Sequence, residues 1–127
     1  MKIDTAKNSD PFELVQLVFN AILGKLAAAK ACIERDNIAD KGLLISEVIT
    51  LIGSLESSLD MEKGGEISNN LANLYQFCAS HLVTANVEND IAKIDEVHGI
   101  ILTIKEAWDQ IPKETRAEFL DKDAASA

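Results

Sequence analysis

Apolar residues recur along this chain at steps of three and four, the spacing that keeps them on one face of an α-helix. The first run is Phe12, Val15, Phe19, Ile22, Leu26, Ala29 and Ile33. Its start is marked by Asp10 as a cap, Pro11 at the first helical position and Glu13 three residues after the cap. Arg35-Asp36-Asn37 closes it. The second run is Ile45, Val48, Ile52, Leu55 and Leu59, ending at Asp60 and a Lys63-Gly64-Gly65 turn. The third is Ile67, Leu71, Leu74, Cys78, Leu82 and Ala85, with Asn86 as its end. The fourth is Val87, Ile91, Ile94, Val97, Ile101, Ile104, Trp108 and Ile111, stopped by Pro112. A short fifth helix is expected from Lys113 to Leu120.

Long helices joined by short connections must run antiparallel to their neighbours. The expected fold is therefore all-α, an up-down-up-down four-helix bundle with a short C-terminal helix. Strand-like alternation is absent. Residues 1–127 read as one domain, with an ordered core over about 10–120. The ends, 1–9 and 121–127, read as flexible.

The helices also carry apolar residues outside these stripes. They are Leu14, Leu17, Val18 and Leu23 on the first, and Leu43, Leu44, Ile49 and Leu51 on the second. The third adds Tyr75, Phe77 and Val83, and the fourth Ile100 and Leu102. A bundle helix needs about three apolar positions in seven, so part of this surplus widens the core. The remainder is available for an exposed groove, a feature that marks a partner site.

Composition narrows the function. In 127 residues there are 21 acids against 12 bases, a net charge of −9. Nucleic acid and anionic membranes call for a basic face, so both are disfavoured as partners. The opening MKIDTAKNSDPFEL lacks the apolar core of a signal peptide. Lys25, Lys30, Glu47 and Lys105 interrupt the apolar stretches, which argues against a membrane span. The two cysteines, Cys32 and Cys78, lie within helical patterns. That fits buried thiols in a reducing cytoplasm better than a disulfide framework.

Three chemistries have partial counterparts in the sequence. A phosphate loop needs spaced glycines followed by Lys-Ser/Thr between strand and helix; here Lys63 precedes Gly64-Gly65 and the flanks are helical. A di-iron bundle needs two Glu-x-x-His motifs; Asp95-x-x-His98 and Cys78-x-x-His81 are the nearest approaches. Ser80 and His81 are sequence neighbours, so they point about 100° apart on a helix. No catalytic constellation emerges, and no metal or cofactor is expected. Trp108 falls on the core stripe and reads as packing.

Three blocks of sequence resemble the FliS-type flagellar export chaperones. Asp10-Pro11-Phe12-Glu13-Leu14-Val15-Gln16-Leu17-Val18-Phe19-Asn20-Ala21 is similar to the family's S-P-x-x-L-I-x-M-L-Y-D-G. Ser58-Leu59-Asp60, Gly64-Gly65-Glu66-Ile67, Asn70-Leu71 and Leu74-Tyr75 match S-L-D … G-G-E-I-A-x-N-L-x-x-L-Y, the most specific block. Ala85-Asn86, Asp90, Glu96-Val97 and Ala107-Trp108 form the third. Two departures stand out. Val18-Phe19-Asn20-Ala21 replaces L-Y-D-G, and MKIDTAKNS lacks the tyrosine that family members carry before helix one.

The resemblance implies a cytoplasmic, non-enzymatic chaperone. It would hold the disordered C-terminal segment of flagellin, prevent premature polymerisation and deliver it to the flagellar type III secretion apparatus. Export-gate or other flagellar regulatory proteins are further implied partners. On this reading the contact surface uses Leu14, Val18, Ile49, Tyr75 and Ile100 as apolar groove walls. Asn70 and Asn86 match family positions and serve either client backbone or helix-end or interhelix hydrogen bonding. The alternative is a homodimeric structural or regulatory bundle whose apolar surplus is the dimer interface.

Overall fold

A computed structural model describes residues 11–112 and 114–115. Four helices account for nearly all of them: α1 (Pro11–Glu34), α2 (Ile38–Ser57), α3 (Met61–Glu88) and α4 (Ile91–Asp109). Among the described residues there is no extended β-strand. The expected antiparallel bundle is the observed one. Each helix packs on its neighbours in sequence, and α4 closes the ring against α1.

The connections are short because capping chemistry turns the chain at once. Asp36, at φ 61°, follows α1, and the Asn37 amide N–H donates back to the Cys32 carbonyl at 2.7 Å. The Asn37 side chain then accepts from the Asp40 amide and starts α2. Asp60 caps α3 by accepting from the Glu62 and Lys63 amides. Asn89 ends α3 in the left-handed conformation, and Asp90 caps α4 through the Lys93 amide. Asn and Asp tolerate such conformations better than other residues with a Cβ. Beside that cap, the Lys93 ammonium holds the Asp90 carboxyl below its usual range.

The core is built where the large apolar stripes meet. Phe19, Ile22, Leu26, Ile45, Ile52, Ile94 and Ile101 are fully enclosed, each burial worth about 1.5–3 kcal/mol. At one end Trp108 stacks on Phe12 at 4.8 Å between ring centroids and meets Phe19 edge-on at 6.3 Å. Its indole N–H donates to the Phe12 carbonyl at 3.4 Å. α1 is long and apolar enough by composition to cross a membrane, yet its apolar stripe is the one committed to this core.

The stripes of α1, α2 and α4 are largely those expected from spacing. Cys32 is buried at the end of α1, whereas Ile33 is half-buried. Three expectations about α3 and its ends need correction. First, Gly64-Gly65 does not join α2 to α3. The connection lies at Ser58–Asp60, and the glycines sit inside α3, where Gly65 breaks the helix at φ 53°, ψ −126°. Second, α3 runs past Asn86 to Glu88, so Val87 belongs to it and is 78% exposed. Third, the buried face is Ser68, Ala72, Tyr75, Cys78, Leu82 and Ala85. Ile67 and Leu74, expected in the core, are exposed. The expected fifth helix, and the end segments 1–9 and 121–127, lie largely or wholly outside the described residues. Of that region, Glu114-Thr115 forms a short 3₁₀ turn.

Candidate partner-binding groove

The break at Gly65 sets how α3 faces the bundle. After it, the Ser68 hydroxyl donates to the Asp60 carbonyl at 3.1 Å and is completely enclosed. That bond satisfies a polar group which would otherwise be costly to bury. It fixes Ser68 inward, and the following residues at helical spacing turn inward with it. The result is a helix with small side chains, Ser68, Ala72 and Ala85, on its inner face. Ile67, Leu74, Phe77 and Val83 are left exposed.

Two of these residues, Leu74 and Phe77, meet α4 along one flank of α3. Leu74 and Phe77 form one wall of a cleft, and Gly99, Ile100, Thr103 and Ile104 form the other. Its volume is about 530 Å³, in the range of sites that accept several side chains. Glu96 forms the polar end. Across from it, His81 Nε2 lies 3.0 Å from Glu96 Oε2. The imidazole also stacks on Phe77, with ring centroids 4.9 Å apart.

A second cleft lies between α1 and α2. Pro11, Leu14, Val15, Val18, Ser54, Leu55 and Ser58 line it, and at about 100 Å³ it is much smaller. Further along the same seam Lys25 pairs with Glu47 at 3.2 Å, and with Ser46, Thr50 and Leu51 the two line a separate cleft of about 350 Å³. Lys30 is drawn to Asp95 at 3.3 Å on the α1–α4 seam. Exposed pairs of this kind contribute less than about 1 kcal/mol each.

The residues named from sequence therefore do not form one surface. Ile100 is in the α3–α4 cleft, while Leu14 and Val18 are in the α1–α2 cleft. Ile49 is half-buried on α2 and packs against the core. Asn70 is exposed on α3. Asn86 faces α2, where the buried Lys41 ammonium donates to its side-chain oxygen at 2.7 Å and its carbonyl at 2.9 Å. A cation at the last turn of α3 also complements the helix dipole. Tyr75 does not wall a groove: it is 2% exposed and sits in the core. Leu74, which the spacing placed inside, is the groove residue in its stead. Phe77 stood out as surplus, and its step of three from Leu74 was the available signal.

Chemistry is sparse. Among the described residues no three His, Cys, Asp or Glu side chains gather to hold a metal. Cys32 and Cys78 are free and buried, and burial pushes the Cys78 thiol up to about 11. A thiol so raised is a poor nucleophile near neutrality.

An all-α bundle with an apolar α3–α4 cleft, walled on one side by the exposed Leu74 and Phe77, is a binding protein in class. Comparison with known proteins makes this specific: the family described as Flagellar protein FliS matches residues 2–115, and the chain belongs to it. It is 41% identical over 104 residues to the flagellar secretion chaperone FliSB of Pseudomonas aeruginosa, covering 82% of each chain. It is 40% identical to the flagellar secretion chaperone FliS of Vibrio cholerae, over 84% of this chain and 78% of that one. For the Salmonella typhimurium protein of the same name the identity is 37%, over 82% and 78%.

Proposed function

We propose that this protein is a cytoplasmic, non-enzymatic flagellar export chaperone that seats the C-terminal segment of flagellin in the α3–α4 cleft. One observation carries the placement. α3 turns Leu74 and Phe77 outward beside Ile100 while burying Ser68 and Ala72. Large apolar groups left in water cost stability unless a partner covers them. The matched relatives are flagellar secretion chaperones by name, which supports a flagellar export substrate as that partner. A disordered segment folding as an amphipathic helix fits such a groove, with apolar anchors at i, i+3 and i+4.

Titration calorimetry with a synthetic peptide of the flagellin C-terminal segment tests the reading. Binding should occur and should be lost in Ile100→Asp. An Ile100→Asp protein that folds and binds unchanged moves the site off this cleft. A tight dimer by light scattering, with no affinity for the peptide, favours the homodimer instead.

A further inference from the structure

We propose that His81 is a positioning residue for partner binding, holding Phe77 in place as a wall of the α3–α4 cleft; the inference rests on the cleft being the client site. An exposed phenylalanine on a helix has open rotamers, and binding must freeze one of them. Here the Phe77 ring is supported before any partner arrives. The His81 imidazole lies one helical turn further along α3 and stacks against it, 22° from parallel at 4.9 Å. The imidazole is fixed in turn from the opposite wall, by Glu96 Oε2 at 3.0 Å from Nε2. Support thus runs from α4 through Glu96 and His81 to Phe77, and returns to the cleft that Glu96 and Phe77 both line.

Neither folding stability nor metal binding accounts for this arrangement. The His81–Glu96 pair is partly exposed, with 58% of the Glu96 side chain open, so it contributes little to folding. It also has no metal-binding company among the described residues. What the pair does is limit the motion of one aromatic ring at the mouth of an apolar cleft. Preorganising an aromatic anchor raises affinity by removing an ordering cost, without adding any contact to the partner.

The test is a double-mutant cycle on binding of the flagellin C-terminal peptide, read by calorimetry. His81→Ala should weaken binding about three- to tenfold, the range of an aromatic pair. Glu96→Gln retains a side-chain oxygen that accepts from the imidazole and should restore near-native affinity, whereas Glu96→Ala should fall between. In a Phe77→Ala background, His81→Ala should have no further effect, because His81 acts through that ring. Thermal unfolding of each variant shows which of them fold. A folded His81→Ala protein with native affinity overturns the proposal. So does a His81→Ala effect that persists at full size without Phe77. Absence of peptide binding by the wild-type protein refutes the client reading itself, a different failure from either of these.

Discussion

α1 and α3 are the two longest helices, and they spend their apolar residues in opposite ways. α1 turns its large side chains inward, with Phe12, Phe19, Ile22 and Leu26 buried. Outward it shows mainly small or polar ones, such as Asn20, Gly24, Ala27 and Ala28, with Leu17 as the exception. α3 buries Tyr75 and Leu82 among the smaller Ser68, Ala72, Cys78 and Ala85, and exposes Ile67, Leu74, Phe77, Val83 and Val87. The same helical periodicity thus serves two ends. α1 carries the fold, while α3 contributes less to the core and holds apolar surface in reserve. Packing follows this division: among helices adjacent in the bundle, α1 and α2 are the most closely associated pair, α3 and α4 the least.

The sharpest way to break the comparison is to exchange the fates of two phenylalanines. Phe19→Ala removes an enclosed ring that meets Trp108, and should cost about 3–5 kcal/mol in urea unfolding. Phe77→Asp, on a ring 47% exposed, should shift stability by no more than about 0.5 kcal/mol. It should nevertheless weaken peptide binding about a hundredfold, as loss of a central anchor does. If Phe77→Asp unfolds the protein, α3 is a core helix like α1 and the division fails.

A smaller effect probes the inner faces. Ala72→Leu adds volume where α3 is kept small, and overpacking of that kind costs about 1–3 kcal/mol. The control is Ala28→Leu on the exposed side of α1, which should stay within about 0.5 kcal/mol. Equal stabilities in the two variants would mean that the inner face of α3 is loosely packed.

These contrasts also explain what was legible in the sequence. On α1, α2 and α4 the regular three-and-four stripe is the buried one, so spacing alone identified Phe19, Ile22, Val48, Ile52, Val97 and Ile101. α3 has two interleaved stripes, and the more hydrophobic one, Ile67, Leu71 and Leu74, is not the inner one. The mistaken stripe needed two successive steps of four, Leu74 to Cys78 to Leu82. Each such step drifts about 40° around a helix of 3.6 residues per turn. The true stripe reaches Cys78 from Tyr75 by a step of three. What decides between them is a hydrogen bond from Ser68 to Asp60 across the Gly65 break, which no periodicity encodes. The cleft suffered for the same reason: of the seven residues named as contacts only Ile100 lines it, on a helix whose stripe was clear, while Tyr75 and Leu74 exchanged places between core and surface.

Next in size is the break itself. Gly65 has φ 53° and ψ −126°, and a Cβ there would meet nothing within 4 Å. Strain, not collision, is therefore the obstacle to a side chain. Gly65→Ala should cost about 1–2 kcal/mol. The mirror image of this conformation lies near the polyproline region that ordinary residues favour. A D-alanine at position 65, introduced by chemical ligation, should be tolerated or slightly stabilising. If both enantiomers destabilise equally, the break is held by something other than backbone geometry. No glycine break of this kind occurs within α1, whose register is set by its large residues.

The mildest expectation leaves neutral behaviour untouched and sets the two inner faces apart by titration. From Phe12 to Ala29 the inner face of α1 is hydrocarbon and aromatic, with nothing to ionise. That of α3 holds Tyr75 and Cys78. Burial pushes the Tyr75 hydroxyl well above its ordinary value, and the neighbouring Cys78 adds to it. Burial alone raises the Cys78 thiol from 9.0 to about 11. Both groups are charged when deprotonated, so the folded state holds their protons more tightly than the unfolded chain. Their contribution to stability is complete below the unfolded value and is lost as pH rises through the folded one. For the thiol that window runs from about 9 to about 11. Urea midpoints measured across it should fall with pH, and Cys78→Ala should flatten the decline. A slope that Cys78→Ala leaves unchanged would assign the alkaline loss to groups outside the inner face of α3.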